Sequence, residues 1–209
     1  MIAIVDYGVG NLFSLKSSFA AIGEDVVVTK GKNAIKNAEK IILPGVGAFQ
    51  DAAEKLRSEE LDVFLTEQAK SGKIFMGICL GMQMLFEKSF EYGEHKGLSL
   101  LKGEIRPISD VAPKGLKIPH MGWNALSFVG EKHKLFKYIN DGDHVYFVHS
   151  YYAENCADSV IATAEYGYPI TAAAAKGNVM GCQFHPEKSG DVGLKILKAF
   201  CDMKEGDLC

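Results

Sequence analysis

The sequence lacks the cysteine number and spacing of two kinds of small-domain architecture. The 209 residues contain five cysteines, an odd number, and no Cys-x-x-Cys pair occurs. The odd number argues against a disulfide framework, and the lack of paired spacing argues against a cysteine zinc site. The default for each cysteine is therefore a small core residue or a surface thiol. The five are Cys79, Cys156, Cys182, Cys201 and Cys209.

The chain also lacks the features of membrane and nucleic-acid-binding proteins. No apolar run approaches the roughly 18 residues of a membrane-spanning helix. The formal net charge is −3, so no positive excess favours nucleic acid or an anionic membrane as a partner. The opening residues MIAIVDYGVGN have no basic segment and no small-residue cleavage site, which predicts a first strand rather than a signal peptide. We therefore expect a cytoplasmic protein.

Internal repeats, low-complexity tracts and linkers are absent as well. The composition, with 47% hydrophobic and 23% charged residues, is typical of globular proteins. At this length one hydrophobic core is sufficient, so we expect a single domain over residues 1–209.

Short aliphatic runs alternate with helical patterns in the first half of the chain. The runs end at glycine or at polar turn residues, which predicts strands at 2–8, 25–30, 40–45 and 73–79. Helices are predicted for a segment capped by Asn11 that runs through Lys16 to Ile22, for Ala48 to Leu56, and for Leu61 to Lys70. Alternation of this kind predicts a parallel sheet covered on both faces.

The second half of the chain has a different pattern. Closely spaced apolar runs predict antiparallel strands at 144–154, 159–167, 170–178 and 179–187. A final helix is predicted near 190–203, and residues 88–120 give no clear pattern. The predicted fold class is α/β: a three-layer sandwich with a mostly parallel central sheet and antiparallel strands in the C-terminal half.

One cysteine lies where a strand becomes a helix, in the stretch KIFMGICLGMQMLFEK (73–88). Cys79 has a glycine two residues before it and another two residues after it, an arrangement that permits a sharp turn with an exposed side chain. The following helix would direct free N–H groups at the sulfur, and the N–H of Leu80 would face an oxyanion formed by attack from Cys79. On these residues alone, Cys79 is either a small buried hydrophobe or a nucleophile.

A nucleophilic thiol needs a base, and His185 is the candidate among six histidines. His185 follows an apolar run in the sequence FHPEKSG, and Glu187 comes two residues later. In an extended segment these two side chains would point to the same side, so Glu187 would orient the imidazole. A structural histidine is the alternative. We assign no chemistry to His120 or His149.

The stretches GICLGMQ and FHPE resemble the two signatures of class I glutamine amidotransferases, whose domain has a flavodoxin-like fold. Four further stretches, VDYGVGN, LPGVGAF, PHMGWN and YFVHSYY, are similar to the glutaminase subunits of imidazole glycerol phosphate synthases. The resemblance implies hydrolysis of L-glutamine through a Cys79–His185–Glu187 triad and a thioester. It implies no cofactor and no metal.

The resemblance also implies roles for residues outside the triad. Leu80, Val46 and Gly47 would form the oxyanion hole, although PGVG is also an ordinary strand-ending turn. Glutamine would be bound by Gly45, Gln83, Glu91, Ser150 and Tyr151. The alternatives are a helix-surface residue for Gln83 and a solvated charge for Glu91.

The resemblance further implies a partner, a (β/α)8 cyclase subunit that receives the ammonia. Asn11, Trp123, Tyr146 and Lys188 match positions near that interface, although Trp123 is also a possible core residue. Two other functions remain open at this point. One is a related amidotransferase subunit that supplies ammonia to another synthase, such as a sugar-aminating enzyme. The other is a non-catalytic interaction subunit, against which the intact triad argues.

Overall fold

The computed structural model describes residues 1–204 and 206, so Cys209 lies outside the described part of the chain. The helices are α1 (Leu12–Ala21), α2 (Lys32–Asn37), α3 (Phe49–Ser58), α4 (Leu61–Lys70), α5 (Leu80–Met84) and α6 (Gly190–Asp202). The strands are β1 (Ile2–Val5), β2 (Val26–Thr29), β3 (Lys40–Gly45), β4 (Ile74–Cys79), β5 (Lys88–Ser89), β6 (His95–Lys96), β7 (Glu104–Pro107), β8 (His120–Ala125), β9 (Ser127–Phe128), β10 (His144–His149), β11 (Tyr151–Glu154), β12 (Val160–Glu165), β13 (Pro169–Lys176) and β14 (Val179–Cys182).

An eight-stranded sheet in the order β2-β1-β3-β4-β14-β13-β12-β9 forms the centre of the protein. The first five strands in this order pair in parallel, and the last three continue the sheet in antiparallel pairing. The parallel part has the doubly wound order 2-1-3-4-5. The predicted α/β class, with a mostly parallel sheet and antiparallel strands in the C-terminal half, is confirmed.

Two apolar layers cover the two faces of this sheet. Ile41 and Leu43 of β3 pack with α3 and α4, whereas Ile42 between them packs with α1 and α6. Every residue of β1, β3, β4 and β14 is buried. Burial on both faces explains why these strands read as continuous apolar runs instead of alternating ones. Within residues 1–204 and 206, no helix is long and apolar enough to cross a membrane.

Most predicted helices are present, with two differences. Asn11 caps α1, since its side-chain oxygen accepts a hydrogen bond from the Ser14 N–H at 3.4 Å. The short helix α2 was not predicted. The helical pattern after Cys79 is wrong in length, because α5 ends at Met84 after five residues. Such a helix has little macrodipole, so only its first free N–H groups act on the Cys79 sulfur.

The predicted strand 144–154 is wrong as one element. It breaks at Ser150 into β10, which pairs with β8, and β11, which joins a small sheet in the order β11-β7-β5-β6. The antiparallel assignment of 179–187 is also partly wrong. Strand β14 pairs with β13 in antiparallel fashion on one side and with β4 in parallel fashion on the other. It is therefore the last strand of the parallel part of the sheet.

Candidate active site

Cys79 sits on a strained turn between β4 and α5. Its backbone has φ 54° and ψ −114°, a conformation that non-glycine residues rarely adopt. The turn is tight because glycines allow backbone to touch backbone. A Cβ on Gly81 would lie 1.8 Å from the Leu43 carbonyl oxygen, and one on Gly77 would lie 2.5 Å from the Gly81 carbonyl oxygen. Cys79 is therefore held by a strained turn at the C-terminal end of the central strand β4. A cysteine that only filled space in the core would not need such a turn.

His185 reaches Cys79 because β14 lies beside β4 in parallel, with Cys182 opposite Ile78. His185 Nδ1 is 2.8 Å from Glu187 Oε1, and both side chains are buried. The two residues meet across a 3-10 turn that Pro186 begins, not along an extended segment as the sequence suggested. Ser189 fixes this turn, since its hydroxyl donates to the His185 carbonyl at 2.7 Å.

The electrostatics of His185 favour its charged form. Burial lowers the pKa of the imidazole, but hydrogen bonds and charge interactions with Cys79 and Glu187 outweigh burial and raise the pKa to about 10. Because Nδ1 faces the carboxylate, the other ring nitrogen is the one available to Cys79. A protonated ring between the Cys79 sulfur and a buried carboxylate would stabilise negative charge on that sulfur during attack.

A cavity of about 400 Å³ opens over Cys79. It brings together most of the residues that the sequence singled out, from four separate parts of the chain. These are Val46, Gly47, Cys79, Leu80, Gln83, Glu91, Ser150, Tyr151, His185 and Lys188. Four further lining residues were not predicted, namely Tyr92, Pro119, Val148 and His149. A cavity of this volume is adequate for a small polar substrate.

The segment PGVG lies against the turn that carries Cys79. Gly45 is paired with Cys79 in the β3–β4 register, and a Cβ on Gly45 would lie 2.8 Å from the Gly81 nitrogen. Gly45 therefore serves close packing, and it is not among the residues that line the cavity. Val46 is 40% exposed, and Gly47 has a φ of +93°. The Tyr7 hydroxyl donates to the Pro44 carbonyl at 2.8 Å, which anchors the start of the segment.

Gln83 is buried in the cavity wall and is not a helix-surface residue. Its Nε2 lies 2.9 Å from Oε1 of Gln183 and 3.3 Å from the Tyr151 carbonyl oxygen. Gln183 was missed by the sequence reasoning. The signal in the sequence was a single polar residue within the apolar run VMGCQF, two positions before His185. The structure shows that this residue is fully buried, and a buried polar group needs a partner.

Glu91 lines the cavity at the start of α3. Its Oε2 accepts a hydrogen bond from the Phe49 N–H at 2.6 Å. Burial raises the pKa of the Glu91 carboxyl above its ordinary value, although the Phe49 bond opposes that effect. A half-buried carboxylate in a cavity is suited to bind an ammonium group.

His149, in the cavity wall, forms a buried pair with His120. His120 Nδ1 is 3.0 Å from His149 Nε2, and His149 Nδ1 is 2.8 Å from the Tyr151 carbonyl oxygen. Since a carbonyl only accepts, the proton of His149 resides on Nδ1. Burial lowers the pKa of His149 to about 3. His149 is therefore neutral. The two rings pack where β8 pairs with β10, and His120 stacks on Phe147 with 4.8 Å between ring centroids.

Three of the four residues expected at a partner interface form a chain of contacts that begins at the cavity. Trp123 and Tyr146 face each other across β8 and β10, with ring centroids 6.0 Å apart, and Trp123 is exposed. Lys188 lines the cavity, and its Nζ lies 5.9 Å from the Tyr146 ring centroid. Asn11 caps α1, whose residues Phe13 and Ser14 lie near Pro186 and Glu187, and it does not line the cavity. Trp123 is not a core residue.

Comparison with known protein families shows which family this chain belongs to. The family described as glutamine amidotransferase class-I matches residues 3–203. The chain is a class I glutamine amidotransferase. Within the described residues, this amidotransferase has no cluster of three or more His, Cys, Asp or Glu side chains that could hold a metal ion.

Curated relatives match the amidotransferase over nearly its full length. It is 50% identical over 204 residues to the imidazole glycerol phosphate synthase subunit HisH of Caldanaerobacter subterraneus subsp. tengcongensis, covering 97% of this chain and 98% of the relative. The same subunit of Lactococcus lactis subsp. lactis is 47% identical, with 96% and 98% covered. A crystal structure of a glutamine amidotransferase shares the fold, with a TM-score of 0.74, 16% identity, and 96% and 100% of the chains covered.

Proposed function

We propose that this amidotransferase is the glutaminase subunit of an imidazole glycerol phosphate synthase. It hydrolyses L-glutamine to L-glutamate and ammonia, and the ammonia passes to a (β/α)8 cyclase subunit in histidine biosynthesis. The observation that carries the proposal is that Cys79 and His185 line one cavity, with Glu187 bonded to His185 behind it, in a chain about half identical to such subunits. We further propose a single domain over residues 1–209. The cytoplasmic location stays a prediction.

The geometry supports a thioester mechanism. The Cys79 thiolate attacks the side-chain carboxamide carbon of glutamine, and the carbonyl electrons move onto oxygen. The His185 imidazolium then gives its proton to the departing nitrogen, which leaves as ammonia while a γ-glutamyl thioester remains. Water, deprotonated by His185, attacks the thioester and releases glutamate. Throughout, Glu187 holds the ring orientation and stabilises its cation.

The oxyanion is stabilised by backbone N–H groups from two adjacent strand ends. Leu80 begins α5 directly after the nucleophile, so its N–H has no partner within the helix. Val46 and Gly47 lie across from it, and Gly47 already has the positive φ that glycine tolerates. A donor from each side would surround the developing charge as in other acyl-transfer enzymes.

Recognition of the rest of glutamine falls to the other cavity residues. The Glu91 carboxylate binds the α-ammonium group, since its Oε2 is held by Phe49 while the side chain borders the cavity. Ser150 and Tyr151 line the cavity at the break between β10 and β11. Their carbonyls accept hydrogen bonds from the Ile108 N–H and from Gln83 and His149, so their N–H groups and side chains would contact the substrate. Gln83 closes the wall beneath them.

Glu91→Gln should raise the KM for glutamine by roughly 10- to 100-fold with little change in kcat, because it removes the charge of a charge-assisted hydrogen bond but keeps an oxygen for Phe49. In the unaltered protein, KM should rise as pH falls. Since the pKa of Glu91 is raised, this rise should begin at a higher pH than for an ordinary carboxyl group. Steady-state kinetics across a pH series measure both effects.

The matched control is Glu94→Gln. Glu94 lies three residues away, and its exposed carboxylate pairs with Lys88 at 3.2 Å. This variant should keep the KM of the unaltered protein. An unchanged KM in the Glu91 variant would remove Glu91 from the substrate site.

The surface around the cavity mouth is suited to the cyclase subunit. Strands β8 and β10 present Met121 and Trp123, which are 61% and 53% exposed, beside Tyr146. Exposed aromatic and methionine side chains next to a buried site are typical of protein interfaces. Asn11, Trp123, Tyr146 and Lys188 would contact the partner, and docking here would cover the cavity so that ammonia leaves through the complex.

Complementation tests the assignment directly. Expression of this chain in a histidine auxotroph that lacks the glutaminase subunit, together with the matching cyclase subunit, should restore growth without histidine. Purified, the pair should release ammonia from glutamine faster than the isolated chain. Ammonia release without growth rescue would support the alternative, an amidotransferase that supplies another synthase.

A further inference from the structure

Gln183 contacts the nucleophile although it is not part of the triad. It lies after β14 and two residues before His185, and its side chain is completely buried. Its Nε2 is 3.7 Å from Cys79 Sγ, a distance suited to a hydrogen bond on sulfur. The Cys79 sulfur therefore has two polar neighbours, the His185 ring and this amide.

The orientation of the Gln183 amide follows from the groups behind it. The Tyr151 carbonyl can only accept, so the Gln83 atom 3.3 Å from it is the NH2 group. That same NH2 lies 2.9 Å from the Gln183 amide, which must therefore present its oxygen to Gln83. The remaining Gln183 atom, its own NH2, is the one that faces sulfur. The Tyr151 carbonyl thus fixes the orientation of the Gln83 amide, which in turn fixes the orientation of the Gln183 amide.

We propose that Gln183 is a further catalytic residue, whose N–H donates to Cys79 Sγ and stabilises the thiolate that attacks glutamine. Gln83 is then a positioning residue that holds the Gln183 amide in its donating orientation. The proposal rests on the proposed glutaminase function of the site. An N–H donor favours a sulfur anion over a neutral thiol, and the complete burial of Gln183 strengthens this preference because no water competes for its N–H.

His185 and Gln183, which both contact the Cys79 sulfur, have different roles in the reaction. His185 carries the proton that leaves with ammonia, so its interaction with sulfur is lost when the ring becomes neutral. The Gln183 amide does not titrate and donates in every state of the cycle. It would stabilise the sulfur again when thiolate is expelled from the thioester, and thus it supports both halves of the reaction.

The test measures how readily Cys79 ionises in two Gln183 variants. Gln183→Met keeps the length of the side chain but has no donor, whereas Gln183→Glu replaces the donor with an acceptor. Alkylation of Cys79 by iodoacetamide, followed by mass spectrometry of its peptide across a pH series, gives its apparent pKa. We expect Gln183→Met to move the alkylation profile to higher pH, with alkylation slowed about tenfold on the low-pH side of the profile, and Gln183→Glu to move it further. In the cyclase complex kcat should fall about tenfold, with KM for glutamine little changed.

The titratable groups that interact with Cys79 remain in place in these variants. They are His185 and Cys182 from the β14 side and Tyr7 from the loop after β1. Cys182→Ala is the packing control, because it removes a fully buried neighbour that makes no proposed contribution to the reaction. It should leave the alkylation profile of Cys79 unchanged.

Each outcome decides the proposal. Identical profiles for unaltered protein and Gln183→Met would overturn it, as would a shift of equal size in Cys182→Ala, which would indicate loose packing. If Gln183→Met does not fold, Gln83→Met takes its place, and it should shift the profile in the same direction by releasing the Gln183 amide. Failure of the complex to hydrolyse glutamine would contradict the proposed function, whereas the alkylation profile would still decide the role of Gln183.

Discussion

Cys79→Ala should reduce ammonia release from glutamine by roughly 10⁴- to 10⁶-fold, the loss typical of removing the nucleophile from a triad enzyme. No thioester can form without the sulfur, and His185 and Glu187 then have no nucleophile to activate. The cavity should otherwise persist, because alanine keeps the Cβ that the turn at φ 54° already accommodates. Ammonia release by the complex with the cyclase subunit at saturating glutamine is the measurement.

The same variant offers an internal check on the complex. With ammonium salt supplied in place of glutamine, the Cys79→Ala complex should retain cyclase activity, because the partner's chemistry needs only ammonia. Cys156→Ala is the matched control, since Cys156 is also buried but lines a different cavity from Cys79. Glutaminase activity within tenfold of the unaltered protein in Cys79→Ala would contradict the assigned nucleophile.

The regular part of the fold follows from local sequence patterns. Strands β1, β3 and β4 are buried on both faces and read as continuous aliphatic runs, and Asn11 marks the start of α1. These patterns involve only neighbouring residues, so they can be recognised from the sequence without the tertiary structure. Helix α2 has six residues and a single buried side chain, Ile35, so its sequence pattern is too short to stand out.

The small sheets depend on pairings that the sequence does not display. Strands β5 and β6 are two residues long, and they form because Lys88–Ser89 reaches both β7 and β6. Likewise, the change from β10 to β11 at Ser150 is set by which strand each half meets, not by a turn residue. Such elements are fixed by tertiary contacts that override local propensity.

The site was predictable where its chemistry is written in short motifs. Cys79 and His185 stand in such motifs, and the parallel pairing of β14 with β4 brings them together. Tyr92 and Pro119 lie in the stretch 88–120, which gave no clear pattern, and they reach the cavity only through its irregular path. Gln183 illustrates the other limit, since only the fold reveals that its amide meets sulfur.

Gly81→Ala should destabilise the protein by about 4 kcal/mol or more, at the upper end of single-substitution effects, and remove glutaminase activity. The added Cβ would lie 1.8 Å from the Leu43 carbonyl oxygen and 2.8 Å from the Leu43 carbonyl carbon. These are backbone atoms of β3, a fully buried strand paired with β1 and β4, so no side chain can rotate to relieve the overlap. Urea unfolding, with soluble yield as a second readout, measures the loss.

Gly130→Ala separates this close approach from backbone strain. Gly130 has a φ of +70° and open space where a Cβ would stand, so alanine there should cost only about 1 kcal/mol. At Gly81 the expected loss comes from contact alone, because no positive φ is involved. Relief is possible only if α5 moves away from β3, and that movement carries Leu80 and Cys79 with it. A Gly81→Ala protein as stable as Gly130→Ala would therefore mean that the turn can shift without unfolding; if it were also active, the tight packing of the turn would have no role in holding the nucleophile.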